Sequence, residues 1–279
     1  MDLIKQVDII RADHPGCGVE NMYSSLQPKY MGRDKFCEIF MDLGYRVRTI
    51  KNYRRTTIPT HLNYPNLIEG MMVTRPYQVL QSDITYFYLN DKFYYLVFII
   101  DVYTREVVGY NVSFNMRHES NIKALEMALK QIDSKDRATI IHHSDRGSQY
   151  GSKPYIKILK DSGIEVSMGQ KAQDNAYAER INGTIKNEYL KLWNIVNYKD
   201  LKAKVKKAVT HYNEVRKHSS LLNGVSPKEF KKIILNLSTQ ERPTVIIYAD
   251  GNYKFKVASS HLKFNPRKEP LAHNCPIII

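Results

Sequence analysis

The sequence has few cysteines. There are three in 279 residues, at Cys17, Cys37 and Cys275. Their number is odd and none belongs to a C-x-x-C pair, so the pattern predicts neither a disulfide framework nor a zinc site. We therefore expect a chain that folds around its own apolar core in a reducing cytoplasm.

Long apolar runs are also missing. The longest run, residues 93–100, is too short to cross a bilayer, and its β-branched and aromatic content is typical of a buried strand. The first ten residues carry Asp2, Lys5 and Asp8 where a secretory signal would have an apolar core. We expect an intracellular protein with no membrane partner.

The sequence has fewer acidic than basic residues. Asp and Glu number 28 against 42 Lys and Arg, which gives a formal charge of +14. Such an excess attracts a polyanion by releasing its condensed counterions, although many soluble proteins are basic without a specific partner. Residues 181–236 hold 12 basic and 4 acidic residues, so more than half of the excess lies in one fifth of the chain. This concentration favours nucleic acid as the partner.

The N-terminal region, residues 1–62, is predicted to be helical, because apolar residues recur there at helical spacing. A cluster of basic residues ends it: Arg46, Arg48, Lys51, Arg54 and Arg55. Short helices before a basic cluster are typical of a helix-turn-helix-like DNA contact, but a solvated run of charge has the same appearance. Residues 63–76, with two prolines and little periodicity, are interpreted as a linker.

The character of the sequence changes at residue 77, where a core of residues 77–216 begins. Three β-rich runs predict an antiparallel meander, and they are followed by a helix, a strand at 138–142, a helix, a short strand and a long helix at 174–193 capped by Asp174 or Asn175. This order predicts an α/β fold with a mixed five-stranded sheet flanked by helices. Residues 217–279 are expected to form a basic helix and a β-rich tail with a hairpin at 243–257.

Three carboxylates could meet in this core. Asp83 lies within the first strand, Asp145 follows the fourth, and Glu179 lies one turn into the long helix. If the fourth strand lies beside the first, the aspartates become neighbours and the glutamate can face them. Carboxylates within about 4 Å of one another repel strongly, so the cluster calls for a cation. Oxygen ligands without cysteine favour Mg²⁺ or Mn²⁺, and two such ions serve phosphodiester cleavage or transfer.

Each carboxylate also has an ordinary interpretation. Asp83 could discourage aggregation at a sheet edge, Asp145 could cap the following helix, and Glu179 could be a solvated helix residue. The placement of all three on elements that can converge favours the functional interpretation. A tyrosine recombinase, suggested by the 20 tyrosines, requires a mostly helical catalytic domain and is disfavoured by the β-rich core.

Four ordered motifs carry a resemblance to a known family. They are QSDITY, HHSDRGSQY, SMGQKAQDNAYAERINGTIKNEY and HYNEVRKHSSLLNGVSP. In this order they resemble the OrfB catalytic subunit of insertion sequence three family transposases, members of the retroviral-integrase-like Asp-Asp-Glu recombinases with a ribonuclease-H-like core. The likeness covers nearly the whole chain, with two departures. Residues 146–178 place 33 residues between the second Asp and the Glu, fewer than is usual, and Leu80 and Gln81 stand where a Trp is common.

The resemblance implies roles for particular residues. The triad that is catalytic and binds metal maps onto Asp83, Asp145 and Glu179. Asn182, Lys186, Arg216 and Lys217 are expected to contact DNA, together with the basic cluster at 46–55, and Ser144, Gly147 and Gln149 are expected to support the site.

The implied function is DNA transposition in the bacterial cytoplasm, near the nucleoid. Mg²⁺ or Mn²⁺, as two ions, would support cleavage at the inverted-repeat ends of an insertion sequence, after which a freed 3′-hydroxyl attacks a second phosphodiester. Expected partners are double-stranded DNA, further copies of the chain, and an OrfA protein, present separately or as an OrfA–OrfB fusion. Two rivals stay open: a catalytically decayed transposase that regulates by binding DNA, and a nonspecific ribonuclease-H-like nuclease.

Overall fold

A computed structural model describes residues 2–47, 64–247 and 253–256 of the chain. The N-terminal region is helical, as predicted, with α1 (Leu3–Asp13), α2 (Val19–Leu26) and α3 (Arg33–Phe40), the last continuing into a π-helical turn. These helices enclose a small apolar core around Met22 and Phe36. Of the basic cluster only Arg46 is described, and Arg48, Lys51, Arg54 and Arg55 lie outside the described residues.

The core contains the predicted mixed sheet. After the short strand β1 (Met72–Val73), its elements are β2 (Val79–Leu89), β3 (Lys92–Asp101), β4 (Val107–Ser113), α4 (His118–Leu129), β5 (Ile141–Ser144), α5 (Lys153–Asp161) and β6 (Glu165–Met168). The strand order is β4-β3-β2-β5-β6, with β2 antiparallel to β3 and parallel to β5. The fourth strand of the core therefore lies beside the first, which confirms the expected architecture. It begins at Ile141 rather than at residue 138, because residues 134–139 form a 3₁₀ turn.

Helices cover both faces of this sheet. On one face α4 and α5 cover Val97 and Ile99 of β3, and Leu125 of α4 lies in the same apolar cluster. The other face carries α6 (Ala176–Thr184), α7 (Tyr198–Glu214) and α8 (Pro227–Leu235). A π-helical turn at Ile185–Leu190 extends α6, so the long helix predicted at 174–193 is present but starts two residues later. No described helix has the length and apolar content needed to span a membrane.

The segments on either side of the core differ from the sequence-based expectation. The predicted linker 63–76 contributes β1, which pairs with β7 (Thr244–Ile247), and β7 pairs with β8 (Tyr253–Lys256). The predicted hairpin strands are thus present, while its turn lies outside the described residues. β1 pairs with a strand that comes about 170 residues later in the chain. This pairing places Val73, together with the nearby Ile68, in the same buried apolar cluster as Val245. Neither segment is merely an appendage of the core.

Candidate active site

The sheet register places two of the predicted carboxylates side by side. Ser82 of β2 is paired with Ser144 of β5 in parallel register. Asp83 directly follows Ser82, and Asp145 directly follows Ser144. Adjacent strands are about 4.8 Å apart. Neighbouring strands that run in the same direction therefore bring both aspartates to the same end of β5.

The third carboxylate acts on the other two electrostatically. Burial raises the pKa of Asp83 to about 8, and repulsion from Asp145 and then from Glu179 adds to the rise. The pKa of Glu179, on the first turn of α6, is also raised, by burial and then by Asp145. The three carboxylates are close enough that full ionisation of all three is disfavoured. No set of three His, Cys, Asp or Glu side chains in the described part of the chain is already arranged to hold a metal ion.

Asn182 holds the first aspartate. Its Nδ2 donates to Asp83 Oδ2 at 2.6 Å, which favours the ionised carboxylate. Asn182 follows Glu179 by three residues, so both side chains lie on one face of α6. Its Oδ1 is buried and has no hydrogen-bond partner among the described residues, which leaves one acceptor available within the site.

Lys186 lies one turn further along the same face of the helix. Its Nζ donates to Thr85 Oγ1 at 2.8 Å and lies 4.8 Å from the ring centroid of Tyr86. Burial and then Lys191 lower the pKa of Lys186, while Asp83 opposes this shift. The structure thus places Lys186 within the carboxylate site, as it does Asn182. Contact of either residue with DNA stays a prediction.

The loop after β5 is built around Asp145. Gly147 donates its backbone N–H to Asp145 Oδ1 at 3.0 Å. A Cβ at Gly147 would lie 3.0 Å from that oxygen and 3.1 Å from Gln149 Oε1, so a side chain here would crowd the carboxylate. Ser144 Oγ donates to the backbone carbonyl of Asp145 at 3.0 Å, and Gln149 Nε2 donates to the carbonyl of Met116 at 3.0 Å. The three predicted supporting residues therefore surround this aspartate.

Gln81 is a structural residue of the site to which the sequence had assigned no role. Its fully buried side chain reaches from β2 to the start of α6. Oε1 accepts from the backbone amides of Tyr177 at 3.2 Å and Ala178 at 3.3 Å, and Nε2 donates to the carbonyl of Asp174 at 3.2 Å. Gln81 thereby satisfies helix-terminal amides that a capping side chain would normally bind. A long polar side chain two positions before Asp83, and therefore on the same face of β2, was the available signal.

The predicted caps of α6 were wrong. Asn175 precedes the helix but makes no capping hydrogen bond, and its Nδ2 donates to the carbonyl of Ser82 at 2.9 Å. Asp174 Oδ2 instead accepts from the amides of Gln170 at 2.6 Å and Lys171 at 3.0 Å, within the contracted loop. With Gln81 binding the helix amides, the Asp174 side chain binds the amides of the loop and the Asn175 side chain binds β2. The shortened loop is therefore held tightly beside the first aspartate.

The two histidines before Asp145 are packing residues. His142 Nε2 pairs with the hydroxyl of Tyr155 at 2.9 Å, and His143 Nδ1 pairs with Ser167 Oγ at 2.8 Å. Burial lowers the pKa of His142 to about 3 and that of His143 to about 4. Both rings are neutral near neutral pH and contribute no charge to the carboxylate site.

Arg216 was expected to bind DNA, but the structure places it in an internal ion pair. Its Nε and Nη2 donate to the two carboxylate oxygens of Glu188 at 2.7 and 2.8 Å. His14 Nε2 lies 2.7 Å from the same carboxylate, and the amide of Gly16 donates to the carbonyl of Glu188 at 2.7 Å. Glu188 thus joins the N-terminal helices to the core, and the planar fork of the Arg216 guanidinium matches its carboxylate. Its neighbour Lys217 donates to the carbonyl of Ser24 at 2.8 Å across the same contact.

A cleft opens beside the carboxylates. It is lined by Asp145, Gln149, Met116, Tyr86 and Tyr95, with further residues of β2. The two tyrosines are opposite each other on β2 and β3. A substrate that enters this cleft meets Asp145 directly.

Comparisons with known proteins place this chain in a family. Two models described as integrase core domain match residues 73–173 and 161–227. The chain is 37% identical over 209 residues to a 31 kDa protein of insertion element IS600 from Shigella sonnei, covering 72% of this chain and 75% of that protein.

Two further relatives are named as transposases. The chain is 32% identical to the putative transposase InsK for insertion sequence element IS150 of Escherichia coli, over 65% of this chain and 64% of that protein. It is also 32% identical to the transposase for insertion sequence element IS904 of Lactococcus lactis, over 65% of this chain and 72% of that protein.

Solved structures with a related shape include the catalytic core domain of the HTLV-2 integrase in complex with magnesium. The TM-score is 0.45 at 18% identity, over 56% of this chain and 97% of that chain. A simian T-cell lymphotropic virus intasome matches with a TM-score of 0.47 at 14% identity, over 82% of this chain and 74% of that chain.

Proposed function

The chain belongs to the insertion-sequence transposases that carry an integrase core domain, proteins of DNA transposition, and we propose that its active site is formed by Asp83, Asp145 and Glu179. In this proposal the three carboxylates bind divalent metal. The reaction is phosphodiester cleavage and strand transfer at the inverted-repeat ends of an insertion sequence. The chain acts on double-stranded DNA as a multimer, with an OrfA protein as partner or fused half.

The pKa of Asp83 carries the proposal. Burial and the neighbouring carboxylates raise it to about 8, so the site retains a proton near neutral pH unless a cation replaces that proton. Hard carboxylate oxygens, with the unpartnered Oδ1 of Asn182 nearby, fit Mg²⁺ or Mn²⁺ and not zinc. Asp83, Asp145 and Glu179, whose charges already act on one another, are the residues that would hold the metal.

Residues of the protein have the remaining roles in the proposed reaction. Bound metal would supply the positive charge that activates the attacking oxygen and stabilises the leaving oxygen. Asn182 orients Asp83 and favours its ionised form, and Lys186, displaced from Thr85, can pair with a DNA phosphate. Water first breaks a P–O bond at an element end and leaves a 3′-hydroxyl. That hydroxyl then forms a bond to a second phosphorus, in line with the oxygen that departs.

Removal of one carboxylate tests the proposal. Asp145→Asn keeps the shape of the side chain but removes its charge, and we expect joining of labelled element ends in Mg²⁺ to fall by at least about 10³-fold, as for loss of a group acting on transition-state charge. The matched control is Asp161→Asn on α5, where Asp161 pairs with Lys157 on the surface. The ends are identified beforehand from inverted repeats in the DNA that flanks the gene.

The outcomes separate the candidate functions. Lost joining with DNA binding retained supports the proposal, and unchanged joining in Asp145→Asn overturns it. Salt-sensitive DNA binding without joining by the wild type, even with OrfA present, would identify a DNA-binding regulator. Cleavage of any nucleic acid without joining would identify a nonspecific nuclease.

A further inference from the structure

A second pocket lies at the open edge of the five-stranded sheet. It has a volume of about 270 Å³ and is lined by the end of β4, the first turns of α4 and the start of α7. β4 is the terminal strand of the sheet order, so nothing in the described sheet extends past it. The pocket is separate from the cleft that contains Asp145, and the proposed reaction gives it no role.

The lining of this pocket is basic. Arg117, Lys123 and Lys202 contribute three cations from three different segments, and Glu119 is the single acid. Glu119 lies 3.9 Å from His118, while the three cations make no ion pair with any other residue that the structure describes. Unpaired cations gathered around a pocket raise the local concentration of anions.

A row of lysines continues the pocket along α7. Lys199, Lys202 and Lys206 are spaced three and four residues apart, so they share one exposed face of the helix. The row spans about 10 Å at a rise of about 1.5 Å per residue. Such a line of charge fits an extended polyanion better than one small anion.

The pocket lies next to the cleft of the active site, with one loop between them. Residues 114–117 form the loop between them, with Met116 on the side of Asp145 and Arg117 on the side of the basic pocket. In the sheet register Tyr86, Tyr95 and Ser113 form one row across β2, β3 and β4. From β5 to β4 there are three inter-strand spacings, about 14 Å, which is the length of about four base pairs.

We propose that this basic pocket, with the lysine row of α7, binds the sugar-phosphate backbone of duplex DNA about four base pairs from the phosphodiester in the active site. The proposal rests on the proposed function, because it takes DNA as the substrate. Phe114 is 60% exposed, and its ring centroid lies 3.8 Å from that of Tyr198; it provides an apolar wall for the deoxyribose beside the phosphates. The contact reads no bases and fixes the register of the duplex.

Salt dependence of binding tests the contact without any catalysis. Lys123→Gln/Lys202→Gln removes two charges, and affinity for a 30-base-pair duplex of arbitrary sequence is measured by fluorescence anisotropy without metal over a range of salt. Each lost phosphate contact lowers the slope of log K against log salt by about 0.9, so we expect a decrease of about 1–2 and roughly tenfold weaker binding at low salt. The matched control is Lys130→Gln/Lys160→Gln, at the opposite end of the sheet, with an unchanged slope.

Three results would overturn the proposal. The first is an unchanged slope in the Lys123/Lys202 variant. The second is an equal fall in both variants, which reports total charge and not a site. The third is a Lys123/Lys202 variant whose multimer mass in light scattering changes while its salt slope does not. That result would assign the pocket to a contact between copies of the chain. Loss of joining in Asp145→Asn has no bearing on any of these measurements, so failure here and failure of the proposed function are distinguishable.

The position is tested on an element end. A methylphosphonate removes the charge of one phosphate. Placed about four base pairs from the cleavage site, it is expected to weaken binding of the wild type and to leave the Lys123/Lys202 variant unaffected. Equal weakening of both proteins would overturn the assigned position.

Discussion

Gln81 Oε1 on β2 accepts a hydrogen bond from the backbone amide of Ala178 at 3.3 Å, at the residue that immediately precedes Glu179. The strand that carries one proposed metal ligand thus holds the start of the helix that carries another. Only Ser82 separates Gln81 from Asp83 along β2. The spacing of the two carboxylates therefore depends on one buried amide side chain.

We predict that Gln81→Leu uncouples Glu179 from Asp83. The change leaves the amides of Tyr177 and Ala178 unsatisfied, which costs about 1–3 kcal/mol of stability, and it lets α6 shift. Strand transfer should fall by about 10–100-fold, because a small displacement of a catalytic group has a large effect. Joining assays with unfolding in urea give both quantities.

Gln78→Leu is the control for this prediction. Gln78 also bridges backbone groups, the amide of Thr74 and the carbonyl of Met72, but away from the carboxylates. We expect the Gln78→Leu variant to lose comparable stability and to keep the joining rate of the wild type per amount of folded protein. Equal activity losses in both variants would show that Gln81 acts only through stability.

We predict that Asp83→Asn stabilises the metal-free protein. The folded-state pKa of Asp83, about 8, lies above its ordinary value of 3.8, so the stability contributed by its bound proton is present below 3.8 and is lost as pH rises through 8. The melting temperature of the variant should therefore exceed that of the wild type by a margin that grows from pH 5 to pH 8. Mg²⁺ at pH 8 should raise the melting temperature of the wild type alone. Parallel pH profiles would contradict the assignment.

A third prediction concerns Glu188. Burial raises its pKa, but hydrogen bonds from His14 and Arg216 outweigh burial and lower it to about 2. A lowered acid pKa contributes stability above about 4.5 that is lost as pH falls towards 2, here on the order of 2–3 kcal/mol. Glu188→Gln should be less stable than the wild type at pH 7, and the difference should narrow between pH 5 and pH 3. A difference that does not change with pH would rule out this linkage.

A fourth prediction concerns Gly16, where the N-terminal helices meet the core. A Cβ there would lie 2.3 Å from the Cα of Glu188, so Gly16→Ala must push the two backbones apart. We expect a loss of about 1–3 kcal/mol in the free energy of unfolding and faster hydrogen exchange in α1. Gly18→Ala is the matched control, since nothing lies within 4 Å of its Cβ. Equal losses in the two variants would contradict a close approach specific to Gly16.

Much of the core could be predicted from the sequence, because its elements have local signals. β-rich runs marked β2, β3 and β4, helical spacing marked the N-terminal helices, and the order of the core elements predicted the mixed sheet. The carboxylate motifs indicated Asp83, Asp145 and Glu179 as neighbours for the same reason. Each lies at a recognisable place on its own element.

Only the tertiary structure decided the contacts between residues that are far apart in the chain. Gln81 caps a helix that begins 95 residues later, β1 pairs with β7, and Arg216 turns inward to Glu188 and the N-terminal helices. None of these has a local pattern, because a buried glutamine, a two-residue strand and an arginine near a helix end each satisfy several environments equally well. Folding selects one of them through the partner that burial brings within hydrogen-bond distance.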